Sequence, residues 1–171
     1  MRLTVAGSRH HDENMTAFTI QVLGSQDSGK TSHIQRMVTG EYTWQPLDEE
    51  AVTTFETTQG AIQVTFLEGT EDGEENEKEI DGHIVMFDKK TTDNAEIAQW
   101  MELTFQLGPT AVLVGNKVDG QVAADPMLKR IVKGVPYFNM SVKSCYKINE
   151  PILHLLRILT KNPHLNFVKQ L

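Results

Sequence analysis

The run Phe18-Thr19-Ile20-Gln21-Val22-Leu23-Gly24-Ser25-Gln26-Asp27-Ser28-Gly29-Lys30-Thr31-Ser32 leaves this chain few ways to fold. Its first half is apolar and β-branched and reads as a buried strand. Its second half, Gly24 to Thr31, is Gly-x-x-x-x-Gly-Lys-Thr, the pattern of a phosphate-binding loop. In such a loop the backbone N–H groups of Gly24, Ser25, Gln26, Asp27, Ser28, Gly29, Lys30, Thr31 and Ser32 wrap a phosphate chain. Lys30 neutralises the charge, and the Thr31 hydroxyl can ligate magnesium. His33-Ile34-Gln35-Arg36-Met37-Val38 continues as a helix, and its N-terminal partial charge favours the same anion. A glycine turn with no ligand is the alternative. Both glycines, the lysine and the hydroxyl fall at the required offsets, which weighs against it.

The totals set outer bounds. At 171 residues, 39% hydrophobic and 23% charged, the chain is sized for one domain with one sizeable core. No apolar run approaches the roughly 18 residues of a membrane span. Residues 1–16 read as a flexible tail without a signal-type apolar core, and residues 17–171 as a single domain. His10-His11-Asp12-Glu13 offers metal-ligand chemistry, but a solvated tail is the simpler account. A lone Cys145 allows no internal disulfide and suits a reducing compartment.

Net charge is −7. Asp48-Glu49-Glu50 carries −3 and the stretch 68–81 carries −7, so the rest of the chain is net +3. The acidity is confined to two loops. It argues against nucleic acid as a partner and for a basic protein partner at those loops, with solvated charge runs as the alternative.

In chain order, Thr39-Gly40-Glu41 stops the first helix, and Pro46 keeps the following segment irregular. Residues 52–57 and 61–67 form two strands around the turn Thr58-Gln59-Gly60. The alternation of Ala61-Ile62-Gln63-Val64-Thr65-Phe66-Leu67 implies one buried face. Residues 68–81 form a mobile loop, and 83–88 a central strand. Asp93-Asn94 caps a helix over 95–107, with Ile97, Trp100, Met101 and Phe105 on its apolar face. Residues 110–115 form a buried strand. Asp125-Pro126 opens a short helix to about residue 133. The last strand spans 135–140. Asn149-Glu150-Pro151 opens a final helix whose Ile152, Leu153, Leu155, Leu156 and Leu159 face a core. Strands alternating with helices give a doubly wound α/β sheet, with ligands at the carboxyl ends of its strands.

The strand over 110–115 runs into Asn116-Lys117-Val118-Asp119. A carboxylate at Asp119 can accept from both the ring N–H and the exocyclic amino group of guanine. Adenine presents the opposite pattern. Asn116 would hold neighbouring loops, and Lys117 would lay its stem over the purine. Ser141-Val142-Lys143, after the last strand, offers backbone N–H groups to the guanine oxygen, with an ordinary strand-to-helix turn as the alternative.

On these residues the chain resembles the Ras superfamily of small GTPases, and within it the Ran branch, over roughly 18–168. Thr39-Gly40-Glu41-Tyr42, Met86-Phe87-Asp88, Gly115-Asn116-Lys117-Val118-Asp119, Ser141-Val142-Lys143-Ser144-Cys145-Tyr146 and Asn162-Pro163-His164-Leu165-Asn166-Phe167-Val168 carry the likeness. The resemblance implies a six-stranded, mostly parallel sheet with one antiparallel hairpin strand and about five helices. It implies GTP/GDP and Mg2+ as cofactors, with Thr31 and Glu68 toward the metal. It also implies a monomer in nucleus and cytoplasm whose switch loops meet nuclear transport receptors and regulators, with no membrane.

The sequence departs from that branch where hydrolysis takes place. The branch carries Asp-x-x-Gly-Gln after its third strand, and the glutamine orients the attacking water. Here the run is Glu68-Gly69-Thr70-Glu71-Asp72, which puts Asp72 in place of the glutamine and leaves the catalytic group unassigned. The first switch is about four residues shorter. Its magnesium-closing threonine is replaced by Gln45, with Thr43 a substitute only if the loop rearranges. Gln26 would crowd the terminal phosphate. Asp27 would set a carboxylate against it, a repulsion of roughly 4 kcal/mol at 4 Å and an effective dielectric of 20. The basic run before the sixth strand is reduced to Lys133-Gly134, and the sequence ends at Leu171, short of an acidic extension.

Three functions follow. One is a GTP/GDP switch with slow or absent hydrolysis, in nucleocytoplasmic transport. Another is a slow GTPase completed by a partner. The third is a non-hydrolysing pseudo-GTPase that serves as an interaction platform. A phosphate-loop kinase shares the first motif, but no arginine-rich lid segment follows.

Overall fold

The computed structural model describes residues 15–45, 51–69, 78–119 and 126–169. In chain order its elements are β1 (Thr16–Gly24), α1 (Lys30–Thr39), β2 (Val52–Thr57), β3 (Gly60–Glu68), β4 (Gly82–Asp88), α2 (Asn94–Leu107), β5 (Ala111–Asn116), α3 (Pro126–Ile131), β6 (Tyr137–Asn139) and α4 (Glu150–Leu159). The six strands form one sheet in the order β2-β3-β1-β4-β5-β6. Only β2–β3 is antiparallel; the other four pairings are parallel. The protein is therefore α/β with a mixed sheet, and four helices lie among the described residues rather than about five.

The hairpin forms where alternation placed it. Thr57 pairs with Gly60, and the Thr57 hydroxyl donates to the Gly60 carbonyl at 2.7 Å, closing the two-residue turn. Ile62, Val64 and Phe66 are buried on one face of β3. The outer edge of β2 is not left bare, which matters because unpaired edges invite aggregation. Val168 N–H donates to the Glu56 carbonyl at 2.8 Å, and Phe167 stacks on Phe55 with ring centroids 5.0 Å apart.

Successive residues of a strand point to opposite faces, and β4 feeds two cores in this way. Ile84 and Met86 join Ile34 and Met37 of α1 and Ile152, Leu155 and Leu156 of α4. Val85 and Phe87 join Ile97 of α2 and Leu128 of α3. Helices thus cover both faces, as near-continuous apolar parallel strands require. Asp93 caps α2 by accepting the Glu96 N–H at 2.9 Å.

Two details differ from the sequence expectation. Phe105 is 66% exposed, and Thr104 takes the buried position instead. At about 100° per residue, Thr104 lies roughly 20° from Ile97 around the helix and Phe105 roughly 80° away. The last strand keeps only Tyr137–Asn139, because Pro136 has no N–H to give a ladder. Residues 1–14 of the expected tail, Pro46, Asp48-Glu49-Glu50, Glu71, Asp72, Gly73 and the Asp125 cap lie outside the described residues, while Thr16 already belongs to β1. No helix among the described residues is long and apolar enough to cross a membrane.

Candidate functional site

Strand order reverses at β1: the chain leaves it for β2 and β3 on one side and returns to β4 on the other. That crevice is where open α/β sheets bind ligands. The segments at the carboxyl ends of β1, β3, β5 and β6 line a cavity of about 680 Å³ there.

The turn after β1 depends on its two glycines. Gly24 (φ +140°) lies so close to β4 that a Cβ would overlap the Met86 carbonyl. Ser25 N–H donates to that same carbonyl at 3.2 Å. Gly29 (φ +97°) leaves the space that the Asn116 amide fills. Gly29 is also the N-cap of α1 and offers no side chain to its first-turn N–H groups. Gly29, Lys30, Thr31 and Ser32 form part of the cavity wall. The Lys30 ammonium folds back and donates to the Gly24 and Ser25 carbonyls, both at 3.0 Å.

Glu68 closes β3 directly beside this turn, since Val22 pairs with Glu68 in the parallel register. The Thr31 hydroxyl donates to Glu68 Oε1 and Oε2, each at 2.9 Å. A hydroxyl and a carboxylate in contact make a hard, oxygen-only donor pair. Magnesium takes one or two such protein oxygens together with phosphate and water, so these residues fit that ion. Among the described residues no group of three or more His, Cys, Asp or Glu forms a metal cage.

Asn116 ties the two ends of the cavity together. Its Nδ2 donates to the Ser28 carbonyl at 2.8 Å, and its Oδ1 accepts the Val142 N–H at 3.1 Å. It is 2% exposed, so both bonds are sheltered from water. The Ser141 N–H donates to Tyr146 O at 3.0 Å. Two of the three amides expected to face a ligand are therefore engaged within the protein. Lys143 N–H makes no hydrogen bond among the described residues.

Lys117 has φ +63° and lines the cavity. Its ammonium meets Asp88 Oδ2 at 2.7 Å. Burial pushes the Asp88 carboxyl up, but the Lys117 hydrogen bond, the Lys90 N–H, the Lys117 charge and the Thr91 hydroxyl together hold it below its ordinary value. Asp119 Oδ1 accepts the Ser141 hydroxyl at 2.7 Å, and Oδ2 meets Lys90 Nζ at 2.8 Å. The Lys90 and Ser141 hydrogen bonds hold the Asp119 carboxyl below the usual range.

The sequence reading named most of this wall. Asp27, Gly29, Lys30, Thr31, Ser32, Glu68, Asn116, Lys117, Asp119, Ser141, Val142 and Lys143 line the cavity; Gly24, Ser25, Gln26 and Ser28 do not. Gln26 is exposed, and so is Asp27, which takes a left-handed conformation (φ +57°). Thr43 uses its hydroxyl to accept the Gln45 N–H at 3.2 Å and does not line the cavity. Asp72 lies outside the described residues.

Four residues had no assigned role. Tyr42 and Trp44 line the cavity, anchored by the Arg36 guanidinium over the Tyr42 ring and by Gln35 Nε2 donating to the Gln45 carbonyl. Asp88 and Lys90 engage Lys117 and Asp119. Their position at the carboxyl end of β4 was the available signal. No protein-family model matches the chain.

Proposed function

We propose that this protein binds guanine nucleotides, with GTP or GDP and magnesium as ligands, as a small-GTPase-like switch related to the Ran branch. The observation that carries the reading is Asn116. One buried side chain bonds the turn bearing Lys30 and the loop bearing Ser141 and Val142, and Asp119 follows it by three residues. A phosphate-cradling turn and a base-reading carboxylate are thus held at opposite ends of one cavity of about 680 Å³, within the range of small-molecule sites.

Each element has a chemical part in that reading. The first-turn amides of α1 and Lys30 carry the phosphates. Thr31 and Glu68 would hold magnesium, which would supply positive charge against that of the phosphates. Asp119 accepts from guanine, and Ser141 fixes the carboxylate's orientation. Glu68-Gly69-Thr70-Glu71-Asp72 lacks the water-orienting glutamine, so hydrolysis is slow or absent. A role in nucleocytoplasmic transport, with transport receptors or regulators as partners, is the extension that the sequence resemblance suggests.

A second reading, a non-hydrolysing scaffold that binds a basic protein, draws on a different observation. Lys30, Lys117 and Asp119 are all engaged by groups of the protein itself.

Denaturing the purified protein and separating the released small molecules by anion exchange tests the proposal. GTP or GDP in about equimolar amount is the expected result. Release of no nucleotide, together with no uptake of added GDP, favours the scaffold.

A further inference from the structure

Under the guanine-nucleotide reading, Asp119 is the group that must receive the base, yet it already holds a cation from its own chain. Lys90 Nζ sits 2.8 Å from Asp119 Oδ2 while the Ser141 hydroxyl occupies Oδ1. The backbone fixes this meeting. Asp88 pairs with Asn116 across β4 and β5, and Lys89 N–H donates to the Asn116 carbonyl at 3.1 Å. Lys90 N–H donates to Asp88 Oδ1 at 2.8 Å. The segment 88–90 is thereby laid alongside 117–119, and two ion pairs form across them, Asp88–Lys117 and Lys90–Asp119.

The two pairs differ in exposure. The Asp88 side chain is 8% exposed, whereas those of Lys90 and Asp119 are 57% and 40% exposed. The inner pair is structural. The outer one exchanges readily with water or a ligand. An ammonium and the two guanine N–H donors seek the same carboxylate oxygens, and with Ser141 on Oδ1 they compete for Oδ2.

We propose that Lys90 is a tethered competitor for the base: it holds Asp119 in the free protein and is displaced when guanine binds, so that it sets the affinity and selectivity of the base subsite. This inference rests on the guanine-nucleotide reading. While it stays in place, Lys90 presents an N–H donor to the base, which adenine N1 can accept and guanine N1–H cannot. Lys90 therefore narrows the preference for guanine over adenine.

The sign of the effect separates this from general electrostatics. Removing a cation beside a polyphosphate site ordinarily weakens anion binding. A competitor, once removed, strengthens it. Titration of wild type, Lys90→Met, Asp119→Asn and the double variant with GDP, ADP, xanthosine diphosphate and pyrophosphate provides the test. Lys90→Met should bind GDP roughly two- to five-fold tighter, the range open to an exposed ion pair, with no tightening toward ADP or pyrophosphate. In the Asp119→Asn background, where xanthosine diphosphate is the ligand, the Lys90→Met gain should vanish. Unchanged or weaker GDP binding by Lys90→Met, beside a wild type that binds GDP, overturns the competitor and leaves the guanine site standing. Equal tightening toward pyrophosphate also overturns it. No guanine nucleotide bound by either protein overturns both. GDP bound by Lys90→Met alone supports both.

Discussion

The two ends of the cavity handle their buried polar groups in opposite ways. At the Asp119 end, Asp88, Asn116 and Ser141 are buried and every one has a partner. At the Lys30 end, Ser28 Oγ and both ring nitrogens of His33 are buried with no hydrogen-bond partner among the described residues. An unpaired buried polar group costs about 1–3 kcal/mol. The Asp119 end is therefore wired before any ligand arrives. The Lys30 end carries an internal cost, and its charged lysine rests only on backbone carbonyls. An anion there adds charge-assisted bonds that the free protein lacks, so the Lys30 end has the more to gain from a ligand.

Asn116 belongs to both ends, and Asn116→Ala breaks the contrast most severely. It leaves the Ser28 carbonyl and the Val142 N–H unpaired in a dry site. Two such groups at about 1–3 kcal/mol each put the expected loss near 3 kcal/mol. The shift in urea midpoint at constant slope measures it. A loss below about 1 kcal/mol would mean that the ends are held together by something other than this amide.

Lys30→Ala comes next and should act on one end alone. Lys30 is half-buried and its partners are carbonyls that water can serve. Stability should change by about 1 kcal/mol or less. On the proposed function, guanine-nucleotide affinity should fall about 100-fold, near 2.8 kcal/mol at 1.4 kcal/mol per decade. Retained affinity in a folded variant would show that the turn after β1 does not carry the phosphates.

The contrast itself was only half visible in the sequence. The strand, turn and helix around Gly24–Thr31 are local features: β-branched run, glycine spacing, helix start. The same holds for the β2–β3 hairpin and the Asp93 cap. Local signals of this kind survive reading without coordinates. Phe105 was misplaced because a hydrophobic residue was assigned to the core face without regard to its angle around the helix. Lys90–Asp119 and Lys117–Asp88 lay beyond reach for another reason. They exist because the β4–β5 register sets Asp88 opposite Asn116, and parallel register across a helical crossover leaves no trace in residue spacing. The unpaired His33 was likewise hidden: it reads as one residue of an amphipathic helix until Phe66 of β3 packs edge-on against it at 6.3 Å.

His33 gives the smallest effect and the most direct probe of the costly end. Unfolded, an imidazole takes its proton near pH 6.5; folded, burial pushes His33 down to about 4. Between those values the unfolded chain binds more protons than the native one, so stability must fall as pH falls. The contribution is whole above pH 6.5 and drains away toward pH 4, reaching a loss of at most about 2 kcal/mol by pH 5. Burial lowers His83 and His154 as well, the latter helped by the Arg157 charge, so the acid limb has more than one source. His33→Leu removes one source and the two unpaired nitrogens together. It should raise stability at pH 7 by about 1 kcal/mol and flatten the decline between pH 6.5 and 5, while the Asp119 end, which shares no bond with His33, keeps its amide-exchange protection unchanged. An acid limb as steep as the wild type's would show that His33 gains a proton partner on acidification, and the two ends would then be alike in having their buried polar groups paired.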